Sequence, residues 1–397
     1  MFDLNAIQSA LRELGFDAWL FYDFRGSNPL ARSILKLEGG MNSRRFMYLV
    51  PANGAPRKLV HRIEAGALDS LPGEKSVYLR WQELEAGIKE LVSPYKKVAM
   101  EYSPRNAIPY VSIVDAGTIE LVKSAGVEIH SSGDLIQVFD AAWSDEVWKM
   151  HLEADEHTQS AYDVAWKMMA DGVRKGKPAR EVEVQKAIMD HFAAHKLTTY
   201  HPPIVGVGPH GGDPHYEPVP MKDSEIKKDD FVLVDLWAKV DRPRGVYSDI
   251  TRVGYMGEKV PEKYTKVFDI VAAARDAAID CVRDAFKAGK PVYGWQVDDA
   301  TRNVIKKAGY GDQFVHRTGH SIGQEVHGNG ANMDNLETHD ERRILKRTCF
   351  SVEPGIYLPE FGVRLEVDVF VDGDGQVHVT GGIQKEVVPI LAQYQGR

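Results

Sequence analysis

Cysteine is scarce in this chain: Cys281 and Cys349 are the only two in 397 residues, too few for a disulfide framework. Each stands among apolar neighbours and reads as a small buried hydrophobe. Long apolar runs are also missing, since none approaches the roughly 20 residues that span a bilayer. The opening MFDLNAIQSALRELGFD has neither the cationic start nor the apolar stretch of a secretory signal. A cytoplasmic protein without a membrane partner is therefore expected. Basic charge is short as well, 49 Lys and Arg against 57 Asp and Glu for a net −8. That argues against a nucleic-acid partner, because such binding needs a basic surface to displace counterions. Collagen-like sequence, low-complexity tails and repeats are absent too. What remains, 43% hydrophobic and 27% charged residues, is the make-up of a globular enzyme. The length suggests two or three domains.

Leu4, Ile7, Leu11 and Leu14 mark one face of an opening amphipathic helix. AWLFYD (18–23), RFMYLVP (45–51) and VAMEY (98–102) read as strands, and 111–126 as a helix ending at a glycine stop. This pattern predicts an α/β domain over 1–142. A long helix is expected from Ser144, a suitable cap, to about Lys175, and a second over 179–196. Beyond it, FVLVDLWAKV (231–240), GVYSDITRVGYM (245–256), TCFSVEPGIY (348–357) and GVRLEVDVFV (362–371) read as strands. Helical stretches at about 260–288 and 294–308 lie between them. Strands grouped on both sides of a helical block predict an α+β domain over 143–397, with an antiparallel sheet and helices on one face.

Asp235, Asp249, Glu353 and Glu366 lie inside strongly apolar, β-rich segments, where an unpaired charge is expensive. The two-residue period puts Arg364, Glu366 and Asp368 on one strand face, and Phe231, Leu233 and Asp235 on another. Carboxylates converging on one sheet face would repel and raise one another's pKa. A divalent cation resolves that conflict, and carboxylates with one imidazole suit Mn, Co or Zn. His320, in the glycine-bracketed TGHSIGQEVH, is the candidate imidazole. Taken singly, each acidic residue reads more readily as a turn former, an edge charge or a member of an ion pair than as a metal ligand. Arg252 and Arg364 can simply neutralise carboxylates, and His320 can be a loop histidine.

The ordered motifs IVGVGPHGGDPHYEP, VLVDLWAKV with YSDITR, GHSIGQEVH, SVEPGIY and GVRLEVDV cover about residues 145–390. In them the sequence resembles the pita-bread metallopeptidases: prolidase, aminopeptidase P and, more distantly, methionine aminopeptidase. The resemblance implies a pita-bread catalytic domain behind a smaller creatinase/prolidase-like N-terminal domain. It implies that Asp235 binds one metal ion, that Asp249 and Glu366 bridge two, and that His320 and Glu353 complete the ligand set of the second ion. Two divalent ions about 3.5–4 Å apart would then hold a shared hydroxide and polarise the scissile carbonyl. Mn is the first candidate, with Co or Zn as substitutes. Glu353 would act as general base, His327 would steady the tetrahedral intermediate, and His215 would border the substrate pocket. Arg364 would orient a ligand or a substrate carboxylate.

The sequence departs from the family pattern at Trp237, usually glycine, at the longer KVDRPRG hairpin, at Lys346-Arg347, and at Val367 in place of an aspartate. His339 falls near the position of a carboxylate-binding arginine, for which Arg342 and Arg343 are substitutes. The implied function is hydrolysis of the imide bond in Xaa-Pro dipeptides, with a short proline-containing peptide as the partner molecule. The alternative is an aminopeptidase P acting on longer peptides. A metal-free creatinase-like hydrolase and a non-catalytic binding module are further alternatives, against which the complete ligand set argues. The resemblance also implies a homodimer in which the GGMNSRRFMYL stretch reaches a neighbouring site through Arg44 and Arg45, unless both are solvated edge charges.

Overall fold

Leu4, Ile7, Leu11 and Leu14 do form one helix, α1 (Leu4–Leu14), with Ile7 and Leu11 buried. Asp3 caps it by accepting the Ala6 N–H, and Gly15 ends it in the left-handed region at φ 76°. The computed structural model describes residues 2–37 and 42–395. Met1, and Gly39 to Met41 of the Arg44 stretch, lie outside the described residues. The chain divides into two compact units, Met1–Asp140 and Ala141–Arg397. No described helix is long and apolar enough to cross a membrane.

In the first unit six strands, β1 (Ala18–Asp23), β2 (Phe46–Pro51), β3 (Arg57–His61), β4 (Glu74–Tyr78), β5 (Lys97–Met100) and β6 (Glu128–Ser131), form one sheet. Its order is β4-β3-β2-β1-β5-β6, antiparallel only where β2 meets β1 and β3. Helices α2 (Pro29–Leu35), α3 (Trp81–Val92), α4 (Ala116–Lys123) and α5 (Gly133–Ile136) complete it. Trp19, Phe21, Tyr48 and Val50 enter one core, while Leu20, Tyr22, Met47 and Leu49 enter another. Alternate residues thus serve opposite faces, which is why β1 and β2 read as unbroken apolar runs.

The second unit begins with α6 (Asp145–Arg174), capped by Ser144, which accepts the Val147 N–H, followed by α7 (Glu181–Ala194). Strands β7 (Leu197–Thr198), β8 (Ile204–Val207), β9 (Phe231–Val240) and β10 (Tyr247–Tyr255) come next. Helices α8 (Glu262–Lys287) and α9 (Gly294–Lys307) separate them from β11 (Ser321–Ile322), β12 (Cys349–Val352), β13 (Gly355–Tyr357), β14 (Gly362–Arg364), β15 (Val367–Val371), β16 (Val377–Thr380) and β17 (Val388–Pro389). A short α10 (Ile390–Gln393) closes the chain.

The fold class is α+β, but the single sheet expected for this unit is three among the described residues. One is β17-β10-β9-β7 with β8 also on β9, the second is β11-β12-β15-β16, and the third is the β13-β14 hairpin. Val232, Val234, Leu236 and Ile250 pack with Tyr162, Ala165 and Trp166 of α6 in one core. Ala278, Ile279 and Val282 of α8 pack with Phe350, Val352, Val367 and Val369 in another.

Two segments expected as continuous strands are each broken. The 348–357 segment stops after Val352 and resumes at Gly355, and the 362–371 segment stops after Arg364 and resumes at Val367. Pro354 has no N–H for a ladder, and the Glu366 N–H donates instead to the Thr251 carbonyl of β10 at 3.1 Å. At both breaks the chain changes sheet, passing between the β12-β15 pair and the β13-β14 pair. Glu353 and Glu366 occupy these crossing points.

Candidate metal centre

The antiparallel register of β9 and β10 places Asp235 opposite Thr251 and Trp237 opposite Asp249. By the two-residue alternation all four lie on the face opposite Val234, Leu236 and Ala238, and Trp237 at its edge also joins the apolar cluster that α6 shares. The second wall comes from the crossing points and from His320, just before β11. The Glu353 N–H bonds the Thr318 carbonyl at 2.8 Å, and Ser351 N–H bonds the His320 carbonyl at 2.8 Å. Gly319 allows this close approach, because a Cβ there would sit 1.9 Å from the Ser351 carbonyl oxygen.

The two walls bring the sequence candidates together. Asp249, His320 and Glu366 are buried and offer ligand atoms all within 4.8 Å of one another. The His320 Nε2 lies 3.6 Å from Asp249 Oδ2 and 3.4 Å from Glu353 Oε1. Asp235 adjoins them, bound through Oδ2 by Arg364 Nη2, while its buried Oδ1 has no hydrogen-bond partner among the described residues.

Burial pushes the Asp249 carboxyl well above its usual range, and Asp235, Asp368 and Glu353 push it further. Glu366 is raised likewise by burial, then by Asp249, Glu353 and Asp235. Burial raises Asp235 against the opposing effect of Arg364. Burial raises Glu353, again opposed by Arg364, to about 7. Its side chain keeps 16% of its surface exposed, the most open of the carboxylates bound or adjoining His320. His320 is held well below the ordinary imidazole range by burial, then by His327 and Arg317.

Arg364 takes its place between both walls. Besides Asp235 it donates to Thr251 Oγ1 from Nε at 3.1 Å and to Tyr357 Oη from Nη1 at 3.0 Å. Its guanidinium is thus engaged by the protein, and orienting Asp235 is the part of its expected role that the geometry favours. Thr251 Oγ1 in turn donates to Glu366 Oε2 at 2.7 Å. Asp368 was expected on the same face as Arg364 and Glu366. With the strand broken between them, it turns the other way and accepts the Asp249 N–H at 3.0 Å.

The ring of His327 stands edge-on to His320 at 4.4 Å, and its pKa is lowered to about 4 by burial, then by Arg317 and His215. His215 lies on an exposed turn, its N–H held by Asp213 Oδ1. His339 is exposed and bonds Asn335. Arg342 departs from its expected part as a carboxylate binder. It is buried, forks onto Asp340 and donates to the Asn329 carbonyl. Through the Asp340–Asn332 and Asn332–Ser321 bonds it braces the segment carrying His320. Arg343 bridges Tyr293 through its backbone. Arg252 lies over the Tyr162 ring and donates to Gln159 and the Gly381 carbonyl, none of them a carboxylate. Arg44 and Arg45 belong to the first unit, where they line a cavity of about 640 Å³ with Tyr22, Phe24, Tyr78 and Trp81.

Sequence reasoning missed the layer behind Asp249. His151 Nε2 lies 2.7 Å from Thr380 Oγ1 and 3.8 Å from Asp368 Oδ2. Asp155 accepts from Ser248 Oγ and the Gly381 N–H, and Thr158 meets Ser248 Oγ at 2.9 Å. The signal was available: His151, Asp155 and Thr158 recur at four and three residues on the buried face of α6.

The donor set fits a divalent cation. With Nδ1 facing the Ser321 carbonyl at 3.2 Å, neutral His320 presents the Nε2 lone pair to two carboxylates. That contact is repulsive without a positive charge between them. Several buried carboxylates face one guanidinium, and the orphaned Asp235 Oδ1 needs a partner of its own.

A family model described as metallopeptidase family M24 matches residues 150–373. The chain is 26% identical over 310 residues to a putative dipeptidase, YkvY, of Bacillus subtilis, covering 76% of this chain and 79% of that one. It is 29% identical over 215 residues to an Xaa-Pro dipeptidase of Lactobacillus delbrueckii, covering 54% of this chain and 53% of the relative. Its fold superposes on the crystal structure of dipeptidase PepE from Mycobacterium ulcerans with a TM-score of 0.64. That likeness covers 97% of this chain and 96% of the other at 23% identity.

Proposed function

The chain belongs to metallopeptidase family M24, and from that premise we propose that it hydrolyses the imide bond of Xaa-Pro dipeptides at a centre of two divalent metal ions. Asp235, Asp249, His320, Glu353 and Glu366 would hold the ions. The observation that carries this reading is the convergence of the Asp249, His320 and Glu366 ligand atoms within 4.8 Å, with Glu353 beside His320 and an unpartnered Asp235 oxygen beside them. When bound, such ions supply Lewis acidity toward the scissile carbonyl and toward water. Mn is the proposed metal, with Co or Zn as substitutes.

The protein's own groups do the rest. Glu353, the most open of the carboxylates around His320, takes a proton from the attacking water and passes it to the leaving nitrogen. His327 is kept neutral and so offers one ring N–H toward negative charge developing on the carbonyl oxygen. His215, which acts on His327 electrostatically, borders the pocket from its turn. Arg364 and Thr251 hold Asp235 and Glu366 in place.

Assaying Ala-Pro against Ala-Pro-Ala after chelation and Mn addition tests the proposal. Metal-dependent cleavage of the dipeptide is expected. Cleavage of the tripeptide alone would replace this reading with an aminopeptidase P, which the tied-up Arg342 favours because it cannot clamp a free carboxylate. We also propose a homodimer in the cytoplasm, for which light scattering should return about twice 44.4 kDa.

A further inference from the structure

Trp237 lies two residues after Asp235 on β9 and directly across from Asp249 on β10. By the strand's alternation it therefore shares the sheet face of Asp235, while its ring also joins the apolar cluster that includes Tyr247. It is only 8% exposed, yet its indole N–H has no acceptor among the described residues. Buried tryptophan N–H groups ordinarily find one; Trp19, on β1, donates to Glu101 at 2.7 Å. An apolar ring alone would fill the space beside Asp249, so the unmatched donor calls for an acceptor that the protein does not supply.

The ring is also part of a fixed wall. His201 stacks on it at 6.2 Å with an interplanar angle of 20°. His201 is itself pinned by the Pro202 carbonyl at 2.9 Å and by Glu217 at 3.3 Å. Tyr200 lies 6.3 Å from Trp237 and, edge-on, 6.3 Å from Tyr247. Burial raises the Tyr200 phenol, as do Asp249 and Asp235, so this ring too feels the carboxylate cluster. Tyr200 remains 64% exposed, which places the wall between the cluster and solvent.

We infer that Trp237 is a specificity-determining residue. Its indole N–H donates to an oxygen acceptor on the substrate residue that precedes the scissile bond, and its ring, backed by His201, closes that subsite to bulky side chains. This rests on the hydrolase reading above. The acceptor is either the scissile carbonyl oxygen itself, alongside His327, or a side-chain oxygen of that residue, and the two separate experimentally.

The test compares wild type, Trp237→Phe and Trp237→Gly on Ala-Pro, Ser-Pro, Leu-Pro and Phe-Pro. Trp237→Phe keeps the ring and removes the donor, and should raise KM about tenfold. A rise for every dipeptide identifies the scissile carbonyl, and a rise for Ser-Pro alone identifies the side chain. Trp237→Gly should improve kcat/KM for Leu-Pro and Phe-Pro relative to Ala-Pro by about tenfold or more. An unchanged KM in Trp237→Phe overturns the inference even if Trp237→Gly fails to fold. If wild type cleaves no dipeptide, the dipeptidase reading fails by itself. Calorimetric titration of wild type and Trp237→Phe with the same dipeptides then decides the indole contact, and equal binding, or none by either, overturns it.

Discussion

Thr251 stands between three charged side chains. Its hydroxyl donates to Glu366, accepts from Arg364, and faces Asp235 across the β9–β10 pair. Replacing it by valine keeps the β-branched shape and removes the link that aligns both walls. Groups that orient ligands typically change metal affinity or activity about 10–100-fold. Thr251→Val should fall in that range by metal titration while melting near wild type; wild-type affinity would show that the hydroxyl positions nothing. His316 offers a second residue-scale test. Its Nε2 accepts from Tyr357 Oη at 2.7 Å while Nδ1 faces the Arg317 carbonyl. Burial and then Arg364 lower its pKa from 6.5 to about 3. Below pH 6.5 an unfolded chain takes up a proton that the folded chain refuses. This contribution to stability is therefore full above pH 6.5 and is lost as pH falls toward 3. His316→Gln should flatten the fall of the denaturation midpoint over that window; parallel curves would count against a buried neutral ring.

Among the elements, β11 and β12 decide whether the imidazole reaches the carboxylates. Ser321 pairs with Phe350 and Ile322 with Cys349, and the turn into β11 clears the Ser351 carbonyl only because residue 319 has no side chain. Gly319→Ala should cost at least about 2 kcal/mol of stability and lower the bound metal per chain. Gly323→Ala, whose Cβ would meet only the Glu325 carbonyl at 3.9 Å, should stay within about 0.5 kcal/mol. Equal melting of the two variants would mean that the strand pair yields more easily than its geometry implies.

For the whole molecule, each unit carries its own apolar cores. Among the described residues the carboxylate cluster lies wholly within Ala141–Arg397. Metal should therefore stabilise one unit alone. In calorimetry, chelation should lower one transition and leave another in place, and Mn at 100 times its Kd should restore about 2.7 kcal/mol to the one that moved. Transitions that ignore both treatments would remove the cluster from consideration as a metal site.

Much of the fold was legible in the sequence because its signals are local. The cap at Ser144, the helical spacing of α1 and α6, and the apolar run of β9 need only neighbouring residues. The edge strand β4, EKSVY, is exposed along most of its length and carries no such signal, so it went unread. Residue types were legible too, since acidic groups set in apolar strands stand out whatever the fold. The partners of those groups were not. Arg342 turns to Asp340, Asp368 turns away from Glu366, and Glu353 and Glu366 sit where the chain leaves one sheet for another. A strand's period says which residues share a face. Which faces meet depends on pairings more than a hundred residues apart, as between Thr251 and Glu366, and only the tertiary structure decided those.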